Sequence, residues 1–271
     1  MTAQYGLIGY PLGHSFSSVY FNEKFERERI DARYELYPLE HIDELPALLA
    51  AHPMLVGLNV TIPYKEAVLP YLDWLSPEAE AMGAVNVIRV DREGESRRLC
   101  GYNSDFVGFR DSLEPLLPIL QERYAAAQWI VPGSYPGFGS NCFHPLKALV
   151  LGTGGASKAV AFALQQLDIP LQFVSRRAGR GLLAYTDLDE IIMAEHSIIV
   201  NTTPLGMSPK TEACPDIPYQ YLRPYHLLYD VVYNPQETLF MKMGKARGAF
   251  VKNGLEMLHG QAEEAWRIWQ Q

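Results

Sequence analysis

The sequence predicts a two-domain α/β protein: an α/β domain first, then a doubly wound, Rossmann-type domain, with a last helix returning to the first. Three observations lead there. The 271 residues exceed what one hydrophobic core usually serves. Strand-like and helix-like runs alternate along most of the chain. From Lys147 onward an apolar run, a glycine turn and an alanine-rich stretch follow one another, which is one β-turn-α unit.

In the first hundred residues, short apolar, β-branched or aromatic runs bounded by turn residues predict strands at Tyr5–Tyr10, Arg33–Leu39, Leu55–Ile62, Val85–Val90 and Arg97–Tyr102. Helical spacing of apolar residues predicts helices at Ser17–Arg29 and Ile42–Ala51. A third is expected over Tyr64–Leu75, with Pro63 in its first turn. Ala148–Leu151, Gly152–Gly155 and Ala156–Leu167 then read as strand, turn and helix. Leu171–Val174, Ser197–Asn201 and Leu227–Val232 continue a parallel sheet. Leu255, Leu258, Ala262, Ala265, Trp266 and Trp269 form an apolar helical stripe expected to dock on the first domain. The expected domains are 1–113 with 241–271, and 146–240. Residues 114–145 are a connecting segment or insertion, with a short helical piece at Gln121–Gln128 and a turn-rich stretch from Pro132 to Pro145.

Composition narrows the function classes. A net charge of -8 speaks against a broad footprint on nucleic acid. Cys100, Cys142 and Cys214 are odd in number and widely spaced, which fits a reducing compartment and no disulfide framework. No pair of histidines, His14 and His259 included, has metal-ligand spacing with a third ligand near, so no metal is expected. The opening residues lack a basic region followed by a long apolar run, and no stretch approaches 18 uninterrupted apolar residues; a cytoplasmic protein without membrane contact is expected.

Gly152, Gly154 and Gly155 follow a strand and open a helix, where backbone can approach a pyrophosphate at the positive end of the helix dipole. Ser157 stands at the third position of the G-x-G-x-x-G pattern. About twenty residues on, where an NAD site usually has a carboxylate for the ribose 2′-OH, the chain has Ser175, Arg176, Arg177 and Arg180. Guanidinium groups suit a 2′-phosphate, so NADP(H) is favoured over NAD. The bland alternative is a solvated basic loop.

Polar residues also punctuate the strand ends of the first domain. Gly57-Leu-Asn59-Val-Thr61-Ile-Pro63-Tyr-Lys65, Gly83-Ala-Val-Asn86 and Gly101-Tyr-Asn103-Ser-Asp105 each lie beside a predicted strand. Singly, Asn59, Thr61 and Asp105 read as helix caps and Lys65 as a solvated lysine. Together, a lysine and a carboxylate meeting in one cleft would supply an acid–base pair for a carbonyl receiving hydride.

These runs, with Gly13-His-Ser15-Phe-Ser17 before them, resemble the motifs of shikimate dehydrogenases in the family's order. Gly152-Thr-Gly154-Gly155-Ala-Ser, Asn201-Thr-Thr203-Pro204-Leu-Gly206-Met207, Asp230-Val-Val-Tyr233-Asn234-Pro235 and Gly254-Leu-Glu-Met257-Leu258-His-Gly-Gln261 are similar to its remaining signatures. The resemblance covers nearly the whole chain outside 118–145. Any one motif is weak, and the ordered set is highly specific.

The resemblance implies reversible NADPH-linked reduction of 3-dehydroshikimate to shikimate, in aromatic amino acid biosynthesis. It implies Lys65 and Asp105 as the catalytic pair and Ser15, Ser17, Asn59, Thr61, Asn86 and Gln261 as substrate partners. Gly152, Gly154, Gly155, Ala156, Ser175, Arg176 and Arg180 would hold the dinucleotide, while Thr203, Met207 and Tyr233 would approach the nicotinamide region. A monomer or homodimer is expected. Ser18, Phe21 and Val87 depart from the family's usual proline, histidine and threonine and leave strictness for shikimate over quinate open. The alternatives are an NAD-preferring quinate/shikimate dehydrogenase and a non-catalytic nucleotide or metabolite sensor. A folate-linked relative is disfavoured because no aromatic platform for a pterin lies beside Lys65.

Overall fold

Among the described residues two six-stranded sheets, one mixed and one wholly parallel, organise the fold. In the computed structural model the described residues are 2–13, 15–93, 96–128 and 146–271. The chain divides into residues 1–105 with 261–271, and residues 106–260.

The first unit begins β1 (Ala3–Gly9), α1 (Phe16–Glu28), β2 (Ala32–Pro38), α2 (Leu45–Ala51), β3 (Leu55–Val60). Helical crossovers place these three strands parallel, in the order β2-β1-β3. After α3 (Tyr64–Ala67), β4 (Trp74–Leu75) and α4 (Pro77–Met82), the chain forms β5 (Val87–Glu93) and β6 (Ser96–Tyr102). Only two residues separate β5 from β6, a connection that permits antiparallel pairing alone, and β5 also runs antiparallel to β3. The start of β5 and the end of β6 therefore lie at the carboxyl end of β3.

The helix expected over Tyr64–Leu75 is broken. It ends at Ala67, a 3₁₀ turn follows at Leu69–Tyr71, and Trp74–Leu75 pairs with β6 as a strand. Pro70 is the physical reason, since it has no N–H to continue the ladder. Pro63 caps the helix rather than entering its first turn.

The second unit holds α5 (Asp105–Leu113, from Phe106), α6 (Leu117–Gln128), β7 (Ala148–Leu151), α7 (Gly155–Gln166), β8 (Leu171–Ser175), β9 (Leu182–Ala184), α8 (Glu190–Glu195), β10 (Ile198–Asn201), β11 (Leu227–Asp230), α9 (Leu239–Lys245) and β12 (Phe250–Lys252). The order β9-β8-β7-β10-β11-β12, all parallel, reverses direction at β7 and β10, as a doubly wound sheet does. β7, β10 and β11 are buried along their whole length, which explains their unbroken apolar runs.

The division between units falls at Asp105/Phe106 and Gly260/Gln261, not at the expected 113/114 and 240/241. β12 pairs with β11, so residues 250–252 belong to the second sheet. The rest of the expected insertion, 129–145, lies outside the described residues, as do Cys142 and His14; Cys100 and Cys214 are free thiols. Among the described residues no helix is long and apolar enough to cross a membrane.

α10 (Leu255–Trp269) crosses the division, and its last two turns belong to the first unit. There Ala262, Ala265, Ile268 and Trp269 join Tyr5, Leu7, Phe21, Phe25 and Tyr34 in one buried cluster. Trp269 contacts the rings of Tyr5 and Phe21 and donates its indole N–H to the Ile88 carbonyl at 3.0 Å. Trp269→Ala is expected to destabilise this unit by about 3–5 kcal/mol. A urea midpoint shift checks it, and an unchanged midpoint would mean that the helix end is not part of the core.

Candidate functional site

The carboxyl end of β3 collects polar side chains because three segments are delivered there. Gly83 ends α4 at φ 60°, donating its N–H to the Ala79 and Glu80 carbonyls, a left-handed cap that glycine adopts without Cβ strain. Three residues later Asn86 is 3% exposed. Asn103 receives the Asp105 N–H at 3.0 Å and donates its own amide to the Ala84 carbonyl, which joins the α5 start to the same loop.

Asp105 and Lys65 are paired. Lys65 Nζ lies 2.5 Å from Asp105 Oδ2, with the side chains 18% and 10% exposed. The other carboxylate oxygen, Oδ1, accepts from Asn86 Nδ2 at 2.8 Å, while Asn86 Oδ1 accepts the Ser104 N–H at 2.7 Å. The Lys65 carbonyl in turn accepts the Val85 N–H at 2.8 Å. Neither Lys65 nor Asp105 is the solvated lysine or plain helix cap that each resembled singly.

Asn59, 5% exposed, donates Nδ2 to the Asn86 carbonyl at 3.3 Å and accepts the Tyr34 hydroxyl at 2.7 Å. Ser17 lies in the first turn of α1. Thr61 follows the end of β3, its N–H bonded to Ile8 and its carbonyl accepting the Tyr64 N–H. Ser15 is the N-cap residue of α1, and Gln261 is buried on α10. Lys65, Asp105, Asn86 and Asn59 are thus joined directly, and Tyr34 through Asn59. Sequence reasoning missed Tyr34 and the bonding of Ser104. Of the departures from the family pattern, Phe21 and Val87 are core residues, and the Ser18 carbonyl accepts from Asn22.

In the second unit the candidate groups sit at the carboxyl ends of parallel strands. Gly152, after β7, has φ +110°, and a Cβ there would stand 2.8 Å from Thr202 Oγ1, so the turn excludes any larger residue. A Cβ on Gly154 would meet nothing within 4 Å, leaving open space before the first N–H groups of the 12-residue α7. Gly155 and Ala156 begin that helix, and Ser157, where a third glycine is usual, is buried and bonds back to the Gly154 carbonyl at 2.6 Å. Ser175, Arg176 and Arg177 line a depression of about 440 Å³ after β8. Arg176, Arg177 and Arg180 are exposed and form no ion pair among the described residues. An open glycine turn and unneutralised guanidinium groups fit a dinucleotide carrying an extra phosphate.

The loops after β10 and β11 share a buried anchor. Asp230, fully buried, accepts from Thr238 Oγ1 at 2.6 Å and from Val232 N–H and Asn201 Nδ2 at 3.0 Å. Asn201 Oδ1 accepts both the N–H and the hydroxyl of Thr203 at 3.0 and 2.7 Å. Burial pushes the Asp230 carboxyl up to about 6, against the opposing pull of these donors. Met207 and Tyr233, on the same loops, are partly exposed. Among the described residues no group of three His, Cys, Asp or Glu side chains could hold a metal ion.

Comparisons with known proteins meet this geometry. Residues 7–88 match the family described as "Shikimate dehydrogenase substrate binding domain". A shikimate dehydrogenase (NADP(+)) of Clostridium beijerinckii is 36% identical over 276 residues, covering 98% of this chain and 92% of the relative. The crystal structure of shikimate 5-dehydrogenase from Thermus thermophilus in complex with NADP(H) and shikimate is 31% identical, with a TM-score of 0.77 over 98% of this chain and 93% of that one. Quinate dehydrogenase from Corynebacterium glutamicum in complex with NAD is 26% identical, with a TM-score of 0.78 over 99% and 93%.

The Asp230 anchor makes a stability prediction. Its folded pKa is raised, so the stability it contributes is fully present below the ordinary value of 3.8 and is lost as pH rises through about 6. In Asp230→Asn the amide oxygen keeps the two nitrogen donors, and the amide N–H turns to the Thr238 hydroxyl. The variant is expected to gain on the unaltered protein by up to about 3 kcal/mol between roughly pH 4 and pH 8. Urea midpoints across that range check this, and a constant difference contradicts it.

Proposed function

This chain belongs to the shikimate dehydrogenase family, and from that premise we propose that it interconverts 3-dehydroshikimate and shikimate with NADP(H), using Lys65 and Asp105. The observation that carries the proposal is the Lys65–Asp105 pair, held at 2.5 Å and tied to Asn86 at the edge of a buried polar network. Reduction of a ring ketone creates an alkoxide that must be stabilised and protonated, and a positioned ammonium does both.

When bound, the nicotinamide supplies the hydride to the carbonyl carbon or accepts it from the alcohol. Lys65 gives a proton from Nζ to the carbonyl oxygen as its charge develops, and the neutral amine regains a proton from solvent. Oxidation runs the same transfer backward, with Lys65 taking the hydroxyl proton. Asp105 holds the lysine side chain in place. Asn86 fixes the carboxylate by occupying its second oxygen. Ser15, Ser17, Asn59, Thr61, Asn86 and Gln261 bind the carboxylate and hydroxyls of the substrate, which lets the pocket reject acids lacking a hydroxyl.

In the second unit, Gly152, Gly154, Gly155 and Ala156 would hold the pyrophosphate, and Thr203, Met207 and Tyr233 would approach the nicotinamide region. Ser175, Arg176 and Arg180 would take the 2′-phosphate. Their support is the absence of an ion pair for the guanidinium groups among the described residues and of a carboxylate in the segment 175–180. NADP(H) is accordingly the preferred nucleotide.

Initial rates with shikimate or quinate, each with NADP or NAD, test the assignment, and the expected order is led by shikimate with NADP. Asp105→Asn is expected to lower kcat by about 10²–10⁴-fold. Replacing Arg176 and Arg180 with Ala is expected to lower kcat/KM for NADP by roughly 10–100-fold while leaving NAD turnover nearly unchanged. Equal losses with both nucleotides would remove the 2′-phosphate role.

A further inference from the structure

Tyr34 holds a group on another strand, Asn59, that is proposed to bind substrate. Its ring is packed in the core of the first unit, stacked on Phe21 with centroids 4.9 Å apart, and the residue is 3% exposed. Its main chain is clamped to α1, because the Tyr34 N–H donates to Asn22 Oδ1 at 3.0 Å and its carbonyl accepts Asn22 Nδ2 at 2.9 Å. The phenol therefore has little freedom. Burial also pushes its pKa well above the ordinary tyrosine value, so the hydroxyl keeps its proton.

The directions of the hydrogen bonds follow by elimination. The Asn86 main-chain carbonyl can only accept, so the Asn59 amide must present Nδ2 to it and Oδ1 to Tyr34. Asn59 Oδ1 then takes the single hydrogen of the Tyr34 hydroxyl. A one-way chain results, Tyr34 to Asn59 to the Asn86 carbonyl. It fixes the Asn59 amide in one orientation, with the second Nδ2 hydrogen left for a ligand.

Resting on the dehydrogenase assignment above, we infer that Tyr34 is a positioning residue for substrate recognition, setting the orientation of Asn59 through one buried hydroxyl. Recognition of a polyhydroxylated acid depends on such settled donor and acceptor directions, since a misdirected buried group is left unpaired. The hydrogen bonds and ring contacts of Tyr34 reach neither the Lys65–Asp105 pair nor the dinucleotide segments among the described residues. Its loss should fall on substrate affinity and spare the other two.

Tyr34→Phe keeps the stacked ring and removes only the hydroxyl. Steady-state kinetics of the full chain with shikimate and NADP are expected to show KM for shikimate raised about tenfold, with kcat changed by less than about threefold and KM for NADP unchanged. A purely structural role would instead lower the active fraction, reducing apparent kcat with KM unaltered. Asn59→Ala and the double variant complete a cycle, in which the two losses are expected to be clearly less than additive. An unchanged KM for shikimate in Tyr34→Phe, or strict additivity, overturns the inference while the assignment stands. Absence of turnover in the unaltered enzyme overturns both.

Discussion

The Lys65–Asp105 ion pair is the interaction that the rest of the first unit is arranged to hold. Withdrawing two charges from water is costly, and a pair so placed persists only when its spare hydrogen-bonding positions are filled. Asn86 fills the second carboxylate oxygen and is itself fixed by Ser104, while Asn103 seats the main chain of Asp105. Each of these residues depends on a loop whose course is set by strand direction. Because β5 runs antiparallel to β3 and pairs with β6, residues 86 and 103–105 arrive at the end of the strand that leads to Lys65. The mixed sheet is thus the means by which residues forty positions apart reach one another.

The second unit solves a different problem with the same economy of polar groups. A parallel sheet buried on both faces leaves its carboxyl edge as the place for polar loops. There the glycine turn after β7 gives open backbone, the segment after β8 gives cationic groups, and Asp230 ties the loops after β10 and β11 together. Burying a carboxylate among three donors is a stability cost above its raised pKa, and it yields two loops with a single arrangement.

Much of this was legible in the sequence, for reasons that differ by element. β7, β10 and β11 are continuous apolar runs, and a glycine turn between an apolar run and an alanine-rich stretch marks the β-turn-α unit of β7 and α7. Strands β4, β9 and β12 have two or three residues and carry no period to read. The helix over residues 64–75 was over-extended because apolar spacing outweighed Pro70. Lys65 and Asp105 stood out only through the ordered set of motifs, since each alone has an ordinary structural explanation. Tyr34 could not be found that way: its partner, Asn59, lies on another strand, and only strand pairing across β1 brings the two together. The buried state of Asp230 likewise depends on residues 201, 232 and 238 closing around it.

The most direct measurement separates binding from chemistry at Lys65. Shikimate affinity and the single-turnover rate of hydride transfer would be determined for the unaltered protein and for Lys65→Ala, both saturated with NADP. If Lys65 moves the proton, affinity stays within about tenfold while the rate falls by roughly 10²–10⁴-fold. A variant that binds shikimate poorly but turns over normally once saturated would contradict that role and reduce Lys65 to a binding group.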